Sequence, residues 1–141
     1  MKIKLLRGEQ GSTAVEFALT VVILLLLVFG IIEFGILVYD KHILTNASRE
    51  GARAGIVMRT TRLSDKDIED VVSEFASNYM VSFTPSTLEF DPNISPPQPR
   101  DGVPFGTELV VPVKYKYHFL FLNNFGVGPI TLTAETRMKM E

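Results

Sequence analysis

Residues 17–32 of this chain, FALTVVILLLLVFGII, contain no charged side chain, and a single acid, Glu16, stands immediately before them. The run is 16 residues long, about 24 Å as an α-helix. A hydrocarbon core of about 30 Å asks for slightly more. Continuing through Glu33 to Tyr39 gives 23 residues, about 34 Å, which is long enough to cross. The expected membrane span is therefore about residues 17–39, with Glu33 near its outer end. An acid at that depth is costly unless it reaches the interface, is protonated or finds a partner. Glu33 reads as an interface-level acid or as a contact to a partner subunit.

The run is preceded by Lys2, Lys4 and Arg7, set against Glu9. A basic leader before an apolar stretch has the layout of a targeting signal. The secretory arrangement fits poorly, because polar residues 9–13 and Glu16 separate the basic part from the apolar part. No small-x-small cleavage site closes the run, so the apolar segment is expected to stay in the mature protein. Charge does not fix the orientation. Lys41, Arg49, Arg53 and Arg59 follow the span as three basic residues precede it, and the positive-inside rule alone does not choose between the two ends.

No proline occurs in residues 1–81, so the helix can run on to about Met58, roughly 70 Å from Ser12. Ala47, Gly51 and Gly55 recur every four residues and share one face. Glycine inside a helix costs about 1 kcal/mol relative to alanine. A stripe of small residues admits close approach of another helix or a sheet; the competing reading is that Gly51 or Gly55 ends the helix as a C-terminal cap. Arg49 and Arg53, with Glu50, form a charged strip on another face.

The rest of the chain reads as a small α+β domain, residues 59–141. Ser64 and Asp67 match a capping box. Ile68, Val71, Val72, Phe75, Ala76 and Tyr79 then recur at helical spacing, which predicts an amphipathic helix over residues 65–80. Residues 86–90 form a short candidate strand. Residues 91–104 hold five prolines and read as a loop. In residues 107–118, Leu109, Val111, Val113, Tyr115 and Tyr117 fall on one face, with Lys114, Lys116 and His118 among those on the other, and Pro112 argues for an edge position or a bulge. Residues 119–122 continue the apolar character, and 123–129 read as a turn. Residues 130–140 alternate strictly, with Ile130, Leu132, Ala134, Thr136, Met138 and Met140 on one face, as in a half-buried antiparallel strand. The expected fold class is α+β: a long N-terminal transmembrane helix, then a short helix and a small antiparallel sheet.

Composition narrows the chemistry. The absence of cysteine excludes disulfides, thiol nucleophiles and thiolate metal sites. The two histidines, His42 and His118, are far apart and read as interfacial and solvated. A net charge of -2, without a basic stripe, gives no reason to expect a nucleic-acid partner. No phosphate-binding glycine loop, G-x-S-x-G or H-E-x-x-H motif occurs. Neither an enzymatic role nor a cofactor or metal is expected.

The most specific signal is Gly11-Ser-Thr-Ala-Val-Glu16-Phe17. It resembles the processing site of type IV pilin-like subunits, in which a prepilin peptidase cuts after a glycine and leaves a glutamate at the fifth mature position. With Ala-Val-Glu-Phe-Ala-Leu and the later Arg-Glu-Gly-Ala-Arg-Ala-Gly, the chain is similar to the TadE-like minor pilins, or pseudopilins, of the tight-adherence (Tad, Flp) pilus system. This resemblance implies a pilin-like fold, a leader of residues 1–11 cut between Gly11 and Ser12, and a mature helix over residues 12–58. It implies Glu16 and Phe17 as assembly residues, with Glu16 meeting the new amine of a neighbouring subunit. The implied partners are prepilin peptidase, other pilins, Tad inner-membrane components and the lipid bilayer. The implied place is the bacterial inner membrane, with the domain in the periplasm. Losing Lys2, Lys4, Arg7 and Glu9 would take the side-chain charge from -2 to -4. The alternative reading is a signal-anchored sensor or ligand-binding module whose proline-rich loop and sheet form the binding surface.

Overall fold

The computed structural model describes residues 9–57, 62–81, 88–90, 94–98 and 100–140. The basic leader residues, Met58, the first residues of the candidate strand at 86–87, and Pro92 and Pro99 of the proline-rich loop lie outside them. The chain is α+β. One helix, α1 (Glu9–Ile56), is followed by α2 (Asp65–Tyr79) and three strands, β1 (Leu88–Phe90), β2 (Glu108–Tyr117) and β3 (Ile130–Lys139). The sheet is antiparallel in the order β1-β2-β3.

With no proline to break its hydrogen-bond ladder, α1 runs for 48 residues, about 72 Å. Its burial divides it in two. Residues 11–32 are exposed apart from half-buried Val21 and Gly30. From Glu33 onward a stripe turns inward: Glu33, Asp40, Ile43, Leu44, Ala47, Ser48, Gly51, Ala52 and Gly55 are buried. The spacing of three, four and seven residues keeps this stripe on one side of the helix.

Against that stripe lie α2 and one face of the sheet. The start of α2 is fixed by its own sequence. The Ser64 side chain accepts from the Asp67 N–H, and the Asp67 carboxylate accepts from the Ser64 N–H, completing the capping box. Ile68, Val72 and Ala76 of α2 then face α1 and the core. On β2 the buried side chains are Leu109, Val111, Val113, Tyr115 and Tyr117; on β3 they are Leu132, Ala134 and Thr136. Ile130, at the start of the same apolar face, is exposed.

Pro112 departs from expectation. It lies in the central strand, opposite Glu135 of β3. The other neighbour, β1, covers only Val113, Lys114 and Tyr115. Beyond that stretch the only further pairing on this side, among the described residues, is a bridge between Ser95 and Val110. The N–H and C=O of Val110 both bond Ser95, so by strand alternation the backbone of Pro112 points to the same side. Its missing N–H therefore faces away from β3, and no bond of the β2–β3 ladder is lost there.

The proline-rich segment is partly held down. Arg100 is buried; its guanidinium pairs with Asp65 at the start of α2 and donates to the carbonyls of Leu63 and Pro96. The backbone N–H of Arg62 bonds Asp101.

Candidate functional site

The direction of the strands sets which end of the domain lies near the free half of α1. Ser48 of α1 donates from its hydroxyl to the Val111 carbonyl at 2.7 Å. Further toward the N-terminus of α1, the Tyr117 hydroxyl donates to the Glu33 carbonyl at 3.5 Å. So β2 descends along α1, and the β2–β3 connection turns back beside residues 29–36. The distal end of the domain holds the proline-rich segment and Phe105.

The β2–β3 connection is built on Glu33. Its carboxylate accepts from the N–H groups of Phe121 and Leu122, both at 3.0 Å. These groups open a short 3-10 helix, Leu122–Phe125, whose first N–H groups have no partner within the turn. A carboxylate is the strongest acceptor a side chain offers for them. Glu33 is 4% exposed. It caps a loop of its own chain, a role that neither sequence reading gave it. Gly126 closes the turn with φ +83°, a left-handed conformation that favours glycine, and its N–H returns to Asn123 and Leu122 carbonyls.

Aromatic rings tie the loop to the helix. Phe121 stacks at 4.7 Å on Phe29 of α1 and at 5.3 Å on Phe125, and Tyr117 meets Phe119 edge-on at 5.4 Å. Phe29, Ile32, Glu33, Ile36, Leu120 and Phe121 enclose a crevice of about 50 Å³.

Further polar contacts hold α1 to the domain above this point, among them the Tyr39 hydroxyl, which donates to the Tyr79 carbonyl at 3.1 Å. Asp40 is buried and accepts the Val81 N–H at 3.0 Å. Burial pushes its carboxyl above the usual range, opposed by that hydrogen bond. Lys41 donates to the Thr133 carbonyl of β3. Burial also pushes the Tyr117 hydroxyl up to about 12, helped by the negative charges of Glu33 and Asp40. On the outer side of α1, Arg53 pairs with Glu50 at 2.7 Å.

The residues singled out in the sequence fall into two groups, which the fold keeps apart. Gly11, Ser12, Glu16 and Phe17 lie in the exposed free half of α1, and Gly11 has open space around it. Helix α1 begins before the expected cut, so Gly11 and Ser12 stand inside its first turn. Ala47, Gly51 and Gly55 lie in the docked half. A Cβ built on Gly51 would meet Val72 Cγ2 at 2.4 Å; one on Gly55 would meet Leu109 Cδ2 at 2.6 Å and Ile68 Cδ1 at 2.8 Å. Ala47 is fully buried in the same core. Asp40, Ser48, Ala52 and Arg100 were not singled out; only the burial period of α1 signals the first three, and Arg100 carries no local signal. Among the described residues, no group of three or more His, Asp or Glu side chains could hold a metal ion.

Residues 11–53 match the TadE-like protein family. The TadE-like match therefore covers the free half of α1 and most of the docked half. Comparison with curated proteins and with solved structures gives no match. Among the described residues one helix, Gly11–Ile56, is long and apolar enough to cross a membrane, and the matched segment covers most of it.

Proposed function

We propose that this chain is a minor pilin or pseudopilin of a Tad-type pilus, made as a single-pass inner-membrane precursor with its folded domain in the periplasm. The observation that carries the proposal is the free half of α1. It is an apolar rod that the domain leaves uncovered as far as Val28, headed by Glu16 and Phe17, and it lies inside the TadE-like segment. A soluble domain has no use for such a rod; a subunit that passes from a bilayer into a bundle of like helices needs one.

Prepilin peptidase would cut between Gly11 and Ser12. Proteolysis needs the first turn of α1 unwound, and glycine, about 1 kcal/mol poorer than alanine in a helix, weakens that turn. The new Ser12 amine is cationic, and Glu16 of one subunit pairs with the amine of the next. Desolvation consumes much of the attraction between such buried charges. Its main effect is on register: it sets the axial offset between neighbouring helices. The subunit is structural, acts in initiating, assembling or tipping a pilus used for surface adhesion, and is the substrate of an enzyme rather than one itself.

Intact mass of the membrane-isolated protein tests this. A mature chain starting at Ser12 is expected; retention of residues 1–11 in cells with active prepilin peptidase would overturn the proposal. The Glu16→Ala chain is expected to be cleaved but to assemble poorly, and normal piliation by it would remove the role given to Glu16.

A further inference from the structure

The β2–β3 connection exposes what a water-facing hairpin normally hides. Leu120 is 59% exposed and Phe125 60%, and Val127 and Ile130 are also exposed. No charged residue occurs from Phe119 to Ala134. The polar residues of the turn, Asn123 and Asn124, carry no charge. Natural turns in contact with water are polar, and a contiguous apolar patch on a small domain marks a contact surface.

The position of this patch along α1 decides what it meets. Phe121 rests on Phe29, and Glu33 caps the turn. A hydrocarbon core that begins at Ser12 ends, after about 30 Å, near residue 32. One that begins at Phe17, just past Glu16, ends near residue 36. In either setting the loop lies at the outer boundary of the hydrocarbon or just inside it. The exposed face of the loop is also continuous with that of the helix through the Phe29–Phe121 stack.

We propose that residues 119–130 embed in the acyl–headgroup boundary of the bilayer that α1 crosses, so that the domain touches lipid through Leu120, Phe125, Val127 and Ile130 as well as through its helix. The occupant is the acyl chains of glycerophospholipids. The capped, uncharged turn suits this environment, because its N–H groups at Phe121 and Leu122 are already satisfied by Glu33 and need no water. The same packing covers Glu33 with protein, at a depth where an uncovered carboxylate within the hydrocarbon is costly. This inference rests on the membrane-spanning reading of α1.

The chain contains no tryptophan, so a single substitution reports a single position. The full-length Leu120→Trp and Phe125→Trp chains are reconstituted in phosphatidylcholine vesicles, with and without lipid brominated near the headgroup end of the acyl chain. Leu24→Trp serves as the control inside the span, and Phe105→Trp as the control at the distal end, where the side chain is 84% exposed. The Leu120→Trp and Phe125→Trp chains are expected to show blue-shifted emission and to lose intensity in brominated lipid, whereas the Phe105→Trp chain does neither. Loop positions quenched no more than Phe105→Trp, while Leu24→Trp is quenched, overturn the loop contact and leave the span standing. Absence of quenching in Leu24→Trp overturns the span and the loop contact together. A blue shift at the loop without bromine quenching shows that protein, a second copy or another subunit, covers the loop, and overturns the lipid assignment.

Discussion

Single side chains decide how the domain is joined to its helix, and Glu33 decides most. It satisfies two backbone N–H groups for which the apolar side chains of residues 119–122 offer no acceptor. Hydrogen bonds to a charged group are worth about 1.5–3 kcal/mol each. Glu33→Ala is therefore expected to lower stability by a few kcal/mol and to speed hydrogen exchange at Phe121 and Leu122. Glu33→Gln keeps an acceptor and is expected to lose less on both measures. Tyr117, beside it, gives an alkaline signature. The unfolded chain releases this proton near the ordinary tyrosine value of 10.0, and the folded chain holds it up to about 12. Between these values the folded state binds more protons, so the stabilisation is complete below pH 10 and is lost as pH rises toward 12. The size of the loss is on the order of 2–3 kcal/mol. Denaturant midpoints from pH 9 to 12 are expected to fall more steeply for the natural chain than for Tyr117→Phe.

At the scale of elements, α1 carries two jobs in sequence, and glycine placement shows where the second begins. Gly30 and Gly35 have nothing within 4 Å, whereas Gly51 and Gly55 are pressed by α2 and β2. Alanine gains about 1 kcal/mol over glycine in a helix, but forcing a methyl into a filled contact costs roughly 1–3 kcal/mol. Gly55→Ala, pinched between Leu109 and Ile68, is expected to be destabilising, while Gly35→Ala is expected to be neutral or stabilising; thermal melts in detergent separate the two. Much of this was legible in the sequence. The alternation of Leu109 to Tyr117 and of Leu132 to Met138 named the buried face of each strand, because period-two patterning is a local property. The Ser64–Asp67 capping box was equally local. Pro112 misled because the rule that keeps proline at sheet edges concerns hydrogen-bond partners, and only the fold shows that the backbone of Pro112 points away from β3. Glu33 and Arg100 could not be placed, since their partners are reached through tertiary packing.

For the whole molecule, the separation of the free half from the docked half is the main consequence. The domain meets α1 from Phe29 onward and does not lean on Gly11 to Phe17. Removal of residues 1–11 is therefore expected to leave the unfolding midpoint of the domain unchanged, and comparison of precursor and mature chains in one detergent checks this. A shift would mean that the leader region contributes to the fold. Processing and folding are then independent events, and the same domain can be present on either side of the cut. Because α1 runs from the free half into the docked half without a proline or a gap in its ladder, a tilt of the first half is passed to the second. Membrane helices tilt by about 20° on average and adjust that tilt to bilayer thickness. Along the docked half, about 36 Å long, such a tilt carries the distal end of the domain sideways by roughly 12 Å. With its turn in lipid as proposed, the β2–β3 connection would stand on one side of α1 like an outrigger, resisting lean toward itself and leaving the opposite direction free. Bilayer thickness would thus be converted into a directed swing of the proline-rich end, which is the part of the subunit that stands farthest from the membrane.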